Sequence, residues 1–292
     1  MDVKRFIRLT HFKYIGFVLL PLIFGMIYSF YKFDMIRFGT MFLFVPAILT
    51  GLVGLMMLKA LMEYRYADTD AEISLTLVEK LQISLDSLRH FMWGNFTLSI
   101  ILMIAVALFT TPGVIIFYGV LFVISLMCVV GKYALIRTPF SELILSLLLG
   151  FLLPLMTIYT NVFNEQKQFF PLFMEGLLVC LPFILSLFIL VLAYHLSEET
   201  ENTLAMKISS GMADGIMELF TFLAYALPMF YIYLNYTSWT MLLIWLIFPK
   251  AWLDIKRFEN DNYSIKEFKS ICEAISATMA LQSLLYMLGL FF

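Results

Sequence analysis

The succession of long apolar runs is the feature that most constrains what this chain can fold into. Runs of roughly 18–25 residues follow one another with short polar connections, and each is long enough to cross about 30 Å of hydrocarbon as a helix. The predicted spans are 14–32, 38–61, 91–110, 113–132, 141–161, 170–194, 215–234, 237–253 and 271–291. The sequence therefore predicts an all-α polytopic membrane protein with about nine transmembrane helices.

Composition supports this class and excludes others. Of the 292 residues, 62% are hydrophobic and only 14% are charged, which exceeds the apolar share of a soluble domain. No long polar segment interrupts the runs, so residues 1–292 are predicted to form a single membrane domain. No basic block indicates nucleic acid as a partner. The scattered Cys128, Cys180 and Cys272 are typical of buried small hydrophobic residues, and the first run lacks a signal-peptide cleavage site.

The placement of basic residues predicts the orientation in the membrane. With nine spans and a cytoplasmic N-terminus, all of the 19 Lys and Arg residues except Lys32, Arg37 and Lys167 fall on the cytoplasmic side. The C-terminus is then outside. The same alternation places the polar loops 62–90 and 195–214 together on the cytoplasmic side, and residues 73–90 of the first loop are predicted to form an interfacial helix or lid.

Two acidic segments stand out in these loops. The first acidic segment, residues 63–72, contains Glu63, Asp68, Asp70 and Glu72. The pattern Glu63-x-x-Tyr66-x-x-x-Asp70 puts oxygen ligands on one face of a helix end, and magnesium prefers such ligands. The alternative is a helix terminus that simply meets water. Lys59, one turn before Glu63, either extends to water or pairs with the Glu63 carboxylate.

The second acidic segment, residues 198–201, contains Glu198, Glu199 and Glu201. Two acidic loops facing one cavity would make a site for magnesium and a diphosphate, although two solvated loop ends remain the alternative.

Four other polar residues are candidates, each with a structural alternative. Arg137 suits bidentate phosphate binding or simply follows the positive-inside pattern. Glu142 starts a helix, where the dipole favours a carboxylate. His195 adjoins the second acidic segment, where it either contacts substrate or is an ordinary interfacial histidine. Glu175 is either a functional intramembrane acid or an outer-interface residue.

The order of these residues resembles the UbiA-type membrane prenyltransferases, and among them the 1,4-dihydroxy-2-naphthoate polyprenyltransferases of menaquinone synthesis. The resemblance covers nearly the whole chain and is most specific at Gly131 and at Ile136-Arg137-Thr138-Pro139-Phe140-Ser141-Glu142. The supporting positions outside this loop are Pro21, Gly25, Ser146, Gly150, Pro249, Arg257, Phe258, Phe268 and Gly289. The resemblance implies a bundle around a central cavity that opens towards the cytoplasmic face and the bilayer.

The chain departs from the family at both aspartate-rich motifs. Where the family has Asn-Asp-x-x-Asp-x-x-x-Asp, this sequence has Met62-Glu63-Arg-Tyr-Tyr66-Ala-Asp-Thr-Asp70, preceded by Lys59 in place of a usual Asn. The second motif aligns with Tyr194-His195-Leu-Ser-Glu198-Glu-Thr-Glu-Asn202.

The resemblance implies transfer of a polyprenyl chain from its diphosphate to an aromatic quinone precursor, with Mg²⁺ as cofactor and the lipid bilayer as surroundings. Glu63, Asp70 and Glu198 would be catalytic, and the same three residues together with Glu201 would bind the metal. Lys132, Arg137, Tyr66 and His195 would bind substrate.

Two alternatives follow from the departures. The first is a catalytically impaired paralogue that binds a quinone or isoprenoid, or that scaffolds a membrane protein partner. Lys59 favours it, because a fixed ammonium beside Glu63 can replace a metal ion. The second is a small-solute transporter, which the absence of a charged pair at mid-membrane disfavours.

Overall fold

The computed structural model describes residues 15–66, 77–131, 134–162, 169–200 and 202–291. All regular structure in these ranges is helical, which confirms the predicted all-α class. The α-helices are α1 (Gly16–Phe33), α2 (Phe38–Tyr66), α3 (Leu77–Lys80), α4 (Leu85–Phe109), α5 (Gly113–Val129), α6 (Ser141–Leu147), α7 (Leu153–Val162), α8 (Phe169–Ser197), α9 (Leu204–Lys207), α10 (Ser210–Tyr233), α11 (Phe248–Asn260) and α12 (Ile265–Leu288). A π-helical turn, Leu148–Leu152, joins α6 to α7.

Seven of the predicted spans coincide with helices that are long and apolar enough to cross a membrane. Helix α5 corresponds to an eighth predicted span; its 17 residues give a length of about 26 Å, at the lower limit for crossing.

The predicted span 237–253 differs from its expected form. It is divided into a 3₁₀ segment, Trp239–Leu246, and the α-helix α11, with the junction at Ile247. Pro249 lies in the first turn of α11 and has no N–H to donate to an earlier carbonyl, so a continuous helix across the junction is disfavoured. This segment is therefore not one uninterrupted apolar helix.

Residues 77–90 also differ from the predicted interfacial helix. The described part is a single helical turn, α3, followed by the first turns of α4. Ser84 caps α4 by accepting a hydrogen bond from the Ser87 amide at 3.4 Å. Val78 and Leu88 are buried in the hydrophobic core of α2 and α4, so this segment packs against those two helices.

The contacts divide the chain into two compact units, and the prediction of a single domain stays a prediction. Unit 1 contains α2 to α5. Helix α2 packs closely along α4 at Gly51 and Gly54. An added Cβ at Gly54 would meet the Phe96 ring, and one at Gly51 would meet the Ser99 hydroxyl, so both positions need glycine for this close approach. Ser99 also donates a hydrogen bond to the Ala47 carbonyl at 2.5 Å. The core of this unit comprises Val53, Met57, Leu58, Ala60, Val78, Leu88, Met92 and Phe96.

Unit 2 contains α1 and all helices from α6 onwards. Helix α1 approaches α7 at Gly25, where an added Cβ would lie 2.8 Å from the Pro154 carbonyl oxygen. The π-helical turn approaches the backbone of α8 at Gly150, where an added Cβ would lie 2.9 Å from the Ile184 Cα. Buried rings of Phe24, Tyr28, Phe183 and Tyr286 pack between α1, α8 and α12.

Candidate functional site

The described part of the first acidic segment is the C-terminal end of α2. The neighbouring Leu58 and Ala60 are buried in the core of unit 1, while Lys59 and Glu63 lie on a more exposed face. The Lys59 Nζ is 3.6 Å from the Glu63 Oε1, at the i,i+4 spacing, and each side chain is about 40% exposed (37% and 40%). Tyr66, the last residue of α2, is 41% exposed. Asp70 lies outside the described residues.

Of the two interpretations of Lys59, the structure therefore shows the pairing with the Glu63 carboxylate. Its energy is small, about 0.3–0.5 kcal/mol, because both groups are partly solvated. A cation that approached Glu63 would meet a carboxylate whose charge is already partly offset by the Lys59 ammonium.

The second acidic segment begins where α8 ends at Ser197. Glu198 and Glu199 are exposed, and Glu201 lies outside the described residues. Glu199 and Asn202 have positive φ values of 48° and 62°, so the backbone turns sharply after α8. The loop is closed by the buried Thr203, whose hydroxyl donates to the Thr200 carbonyl at 2.8 Å.

A buried carboxylate, Glu142, lies beside this loop in unit 2. Its side chain is fully buried, and His195 is 1% exposed. The His195 Nδ1 is 2.9 Å from the Glu142 Oε1, and because a carboxylate only accepts, this nitrogen carries the proton. Ser141 donates from its hydroxyl to the Glu142 Oε2 at 2.8 Å. The contact between Glu142 and His195 joins the start of α6 to the end of α8 within unit 2.

The same carboxylate also receives the backbone that follows the second acidic segment. The amide of Ala205 donates to the Glu142 Oε1 at 3.2 Å, and the amide of Leu204 approaches the Oε2 at 3.4 Å. These amides open the single turn α9, where N–H groups have no helical partner. Glu142 therefore joins the start of α6, the end of α8 and the start of α9.

Arg137 ends a short 3₁₀ turn, Leu135–Arg137, and its side chain is exposed. Between this turn and α6, the Ser141 amide donates a hydrogen bond to the Thr138 carbonyl at 3.0 Å. Lys132 lies outside the described residues.

The described residues do not by themselves fit a magnesium site. Among them, no three His, Cys, Asp or Glu side chains are close enough to hold a metal ion. Each unit presents one predicted carboxylate ligand, Glu63 or Glu198, and the former is paired with Lys59. Magnesium needs several oxygen ligands in a near-octahedral arrangement. A metal role therefore stays a prediction that depends on Asp70 and Glu201.

A second polar cluster, which the sequence only hinted at through Glu175, lies in unit 2 at the other end of α8. Tyr28, which is 1% exposed, donates its hydroxyl to the Glu175 Oε1 at 2.8 Å. The Lys32 Nζ is 3.4 Å from the same oxygen and lies over the Tyr236 ring. Glu175 thus has the partners that a half-buried charge requires.

A third charged cluster joins α10 to α11. Lys256 contacts both Glu218 and Glu259, and Tyr263 donates to the Asp214 Oδ1 at 2.9 Å. Burial raises the pKa of Glu259, although Lys256 opposes this shift. The pKa of Lys256 is raised by its hydrogen bonds to the two glutamates.

The fold defines the class: this is an integral membrane protein built as an all-helical bundle. A solved structure of a digeranylgeranylglyceryl phosphate synthase in membranes has the same fold, with a TM-score of 0.65 over 99% of this chain and 98% of that chain, at 15% sequence identity. No protein-family model and no curated protein sequence matches the chain. The chain therefore shares its fold with this membrane synthase, and the predicted class of an all-helical membrane protein is confirmed.

Proposed function

We propose that this protein is a membrane prenyltransferase that moves a polyprenyl chain from its diphosphate to an aromatic quinone precursor. The observation that carries the proposal is the correspondence of fold, over nearly the full length of both chains, with a digeranylgeranylglyceryl phosphate synthase. Fold alone does not define chemistry, so the proposal also rests on the contact between Glu142 and His195 beside the second acidic segment.

In the proposed reaction the allylic C–O bond breaks and the diphosphate leaves with the electron pair. An aromatic carbon of the acceptor attacks the allylic cation and then gives its proton to solvent, which restores the aromatic ring. The leaving group gains negative charge, so groups that neutralise it accelerate the step. Arg137 would bind the diphosphate in bidentate fashion, because its guanidinium matches two phosphate oxygens. A bound magnesium ion would add charge neutralisation of the same kind.

The test is an assay of purified protein in nanodiscs with geranylgeranyl diphosphate and 1,4-dihydroxy-2-naphthoate. We expect prenylated product with wild-type protein, loss of product with Arg137→Ala, and loss with Glu198→Ala. Parallel reactions with magnesium and with a chelator decide whether a divalent cation takes part. Absence of product from folded wild-type protein under all these conditions would refute the transferase proposal.

A second candidate is a catalytically impaired paralogue that binds an isoprenoid or quinone, or that scaffolds a membrane protein partner. One observation favours it: the ammonium of Lys59 already offsets the Glu63 carboxylate, 3.6 Å away, at the position of the first motif. A fixed cation replaces part of the charge of a metal, but it cannot reproduce the multiple coordination of magnesium.

The Lys59→Asn variant separates the two candidates. If the ammonium occupies the place of a metal ion, removing it should strengthen Mg²⁺ or Mn²⁺ binding by about tenfold, since one unit charge nearby is removed. Manganese binding can be followed by electron paramagnetic resonance, with Lys80→Asn as a surface control. Equal manganese affinity in both variants and wild type would remove the support for the impaired paralogue.

The orientation is part of the same proposal. We propose a cytoplasmic N-terminus and an outside C-terminus, because the basic residues are distributed so unevenly between the two sets of loops. Labelling of single cysteines introduced at Glu198 and at Tyr236 with a membrane-impermeant maleimide in intact cells should modify only the second. Modification of the first alone would reverse the assignment.

A further inference from the structure

Glu142 connects three segments that carry the predicted binding residues of unit 2. It lies one residue after Ser141, whose amide donates to the carbonyl of Thr138, the residue that follows Arg137. Its carboxylate contacts His195, three residues before Glu198. It also accepts from the amides that directly follow the loop of the second acidic segment. One buried side chain therefore holds both ends of the acidic loop, and it lies five residues after Arg137 in the chain.

We propose that Glu142 is a positioning residue, which sets the separation between Arg137 and the second acidic segment and thereby prepares a diphosphate-binding site. This inference rests on the proposed function. Glu142 itself does not contact substrate, because its side chain is fully buried and its oxygens are occupied by protein donors.

The burial of Glu142 explains why it can position other groups. A charged carboxylate in a dry interior is costly unless it is hydrogen-bonded, so its donors are held firmly. Four donors from the described residues surround it: the Ser141 hydroxyl, the His195 ring and the amides of Leu204 and Ala205. The loop between His195 and Leu204 has positive φ values at Glu199 and Asn202, and such a backbone persists when its ends are fixed.

The first measurement is hydrogen exchange of the Leu204 and Ala205 amides in wild type, Glu142→Gln and Glu142→Ala. Gln keeps one acceptor oxygen and can still serve His195 and Ala205, whereas Ala removes all four bonds. We expect exchange to accelerate slightly in Gln and by about tenfold or more in Ala, because a hydrogen bond to a charged group is lost. Unchanged exchange in Glu142→Ala would overturn the anchoring contact.

The second measurement is the affinity for geranylgeranyl diphosphate, determined by equilibrium dialysis in detergent. We expect the Kd to rise in the order wild type, Glu142→Gln, Glu142→Ala, with about a tenfold total change. Glu175→Gln, which perturbs the other end of α8, serves as a control variant and should leave the Kd unchanged. Thermal midpoints are measured for all variants, so that the Kd can be compared at matched stability.

The outcomes are distinct. Faster exchange together with a raised Kd supports the positioning role. Faster exchange with an unchanged Kd makes Glu142 merely structural and overturns the inference while the proposed function stands. If wild-type protein does not bind the diphosphate, the proposed function fails and the positioning role fails with it, whereas the exchange data still report on the anchoring contact itself.

Discussion

The hydrogen bond between Tyr28 and Glu175 gives the sharpest prediction about stability. Tyr28 is almost fully buried, and its hydroxyl donates to the Glu175 Oε1 at 2.8 Å. We expect Tyr28→Phe to lower the free energy of unfolding by about 1.5–2 kcal/mol, because a hydrogen bond to a charged acceptor is lost. Glu175→Ala should cost about 2–4 kcal/mol, since it also leaves the buried Tyr28 hydroxyl without its acceptor.

The coupling between the two residues is worked out from a double-mutant cycle. Once the Tyr28 hydroxyl is removed, the remaining effect of Glu175→Ala is mainly the loss of the partly exposed Lys32 pair, about 0–1 kcal/mol. The coupling energy is the difference between these two effects of Glu175→Ala, and it should therefore be about 1–4 kcal/mol. The assay is reversible unfolding in mixed dodecylmaltoside and SDS micelles, followed by circular dichroism.

The pair Asp86 and Arg89 provides the control. Their charged atoms are 3.8 Å apart, and their side chains are 86% and 57% exposed, so their coupling should be close to zero. A Tyr28–Glu175 coupling below about 0.3 kcal/mol, no larger than that of the control, would refute the reasoning.

Three further predictions concern packing, a hydroxyl and pH. Gly150→Ala should lower the thermal midpoint, because the added Cβ would lie 2.9 Å from the Ile184 Cα. Gly119→Ala should raise the thermal midpoint, because its added Cβ meets nothing within 4 Å and alanine favours a helix more than glycine does. Ser99→Ala should destabilise unit 1 by about 1 kcal/mol in the same unfolding assay, through lost bonds to the Ala47 carbonyl and Tyr118. Burial raises the pKa of Glu259 in the folded protein, so its stabilising contribution is lost as the pH rises from the pKa of the unfolded state through that of the folded state. Glu259→Gln should therefore raise the thermal midpoint at pH 7 and have no such effect at pH 4. Midpoints measured from pH 4 to pH 8 check this last expectation.

Most of the fold follows from the sequence, because the bilayer leaves so few options. An apolar run of 20 residues in lipid must satisfy its own backbone, and a helix is the simplest solution. What the runs do not reveal is local geometry. Residues 239–246 are as apolar as their neighbours, yet they form a 3₁₀ segment, and Pro249 disfavours a continuous α-helix across Ile247.

The candidate site was predictable only in part. Glu63 and Lys59 were placed on one face of a helix end by their spacing, and their ion pair is observed. The contact between Glu142 and His195 joins residues 53 positions apart, and no local pattern encodes it. The only sequence signal was an acid beside Ser141 at the start of an apolar run, which is equally typical of a simple capping charge.

Sequence patterns draw attention to clustered, exposed acids, whereas the acid that matters most for stability is the single buried Glu142. Exposed acids cluster visibly at helix ends, but water satisfies them, so Glu198→Ala should leave the thermal midpoint nearly unchanged. Glu142 is a single acid, but its burial obliges the protein to supply every hydrogen bond. Loss of activity without loss of stability in Glu198→Ala would thus indicate chemistry at the second acidic segment. Loss of both in Glu142→Ala indicates an anchor, which only the binding and exchange data can relate to function.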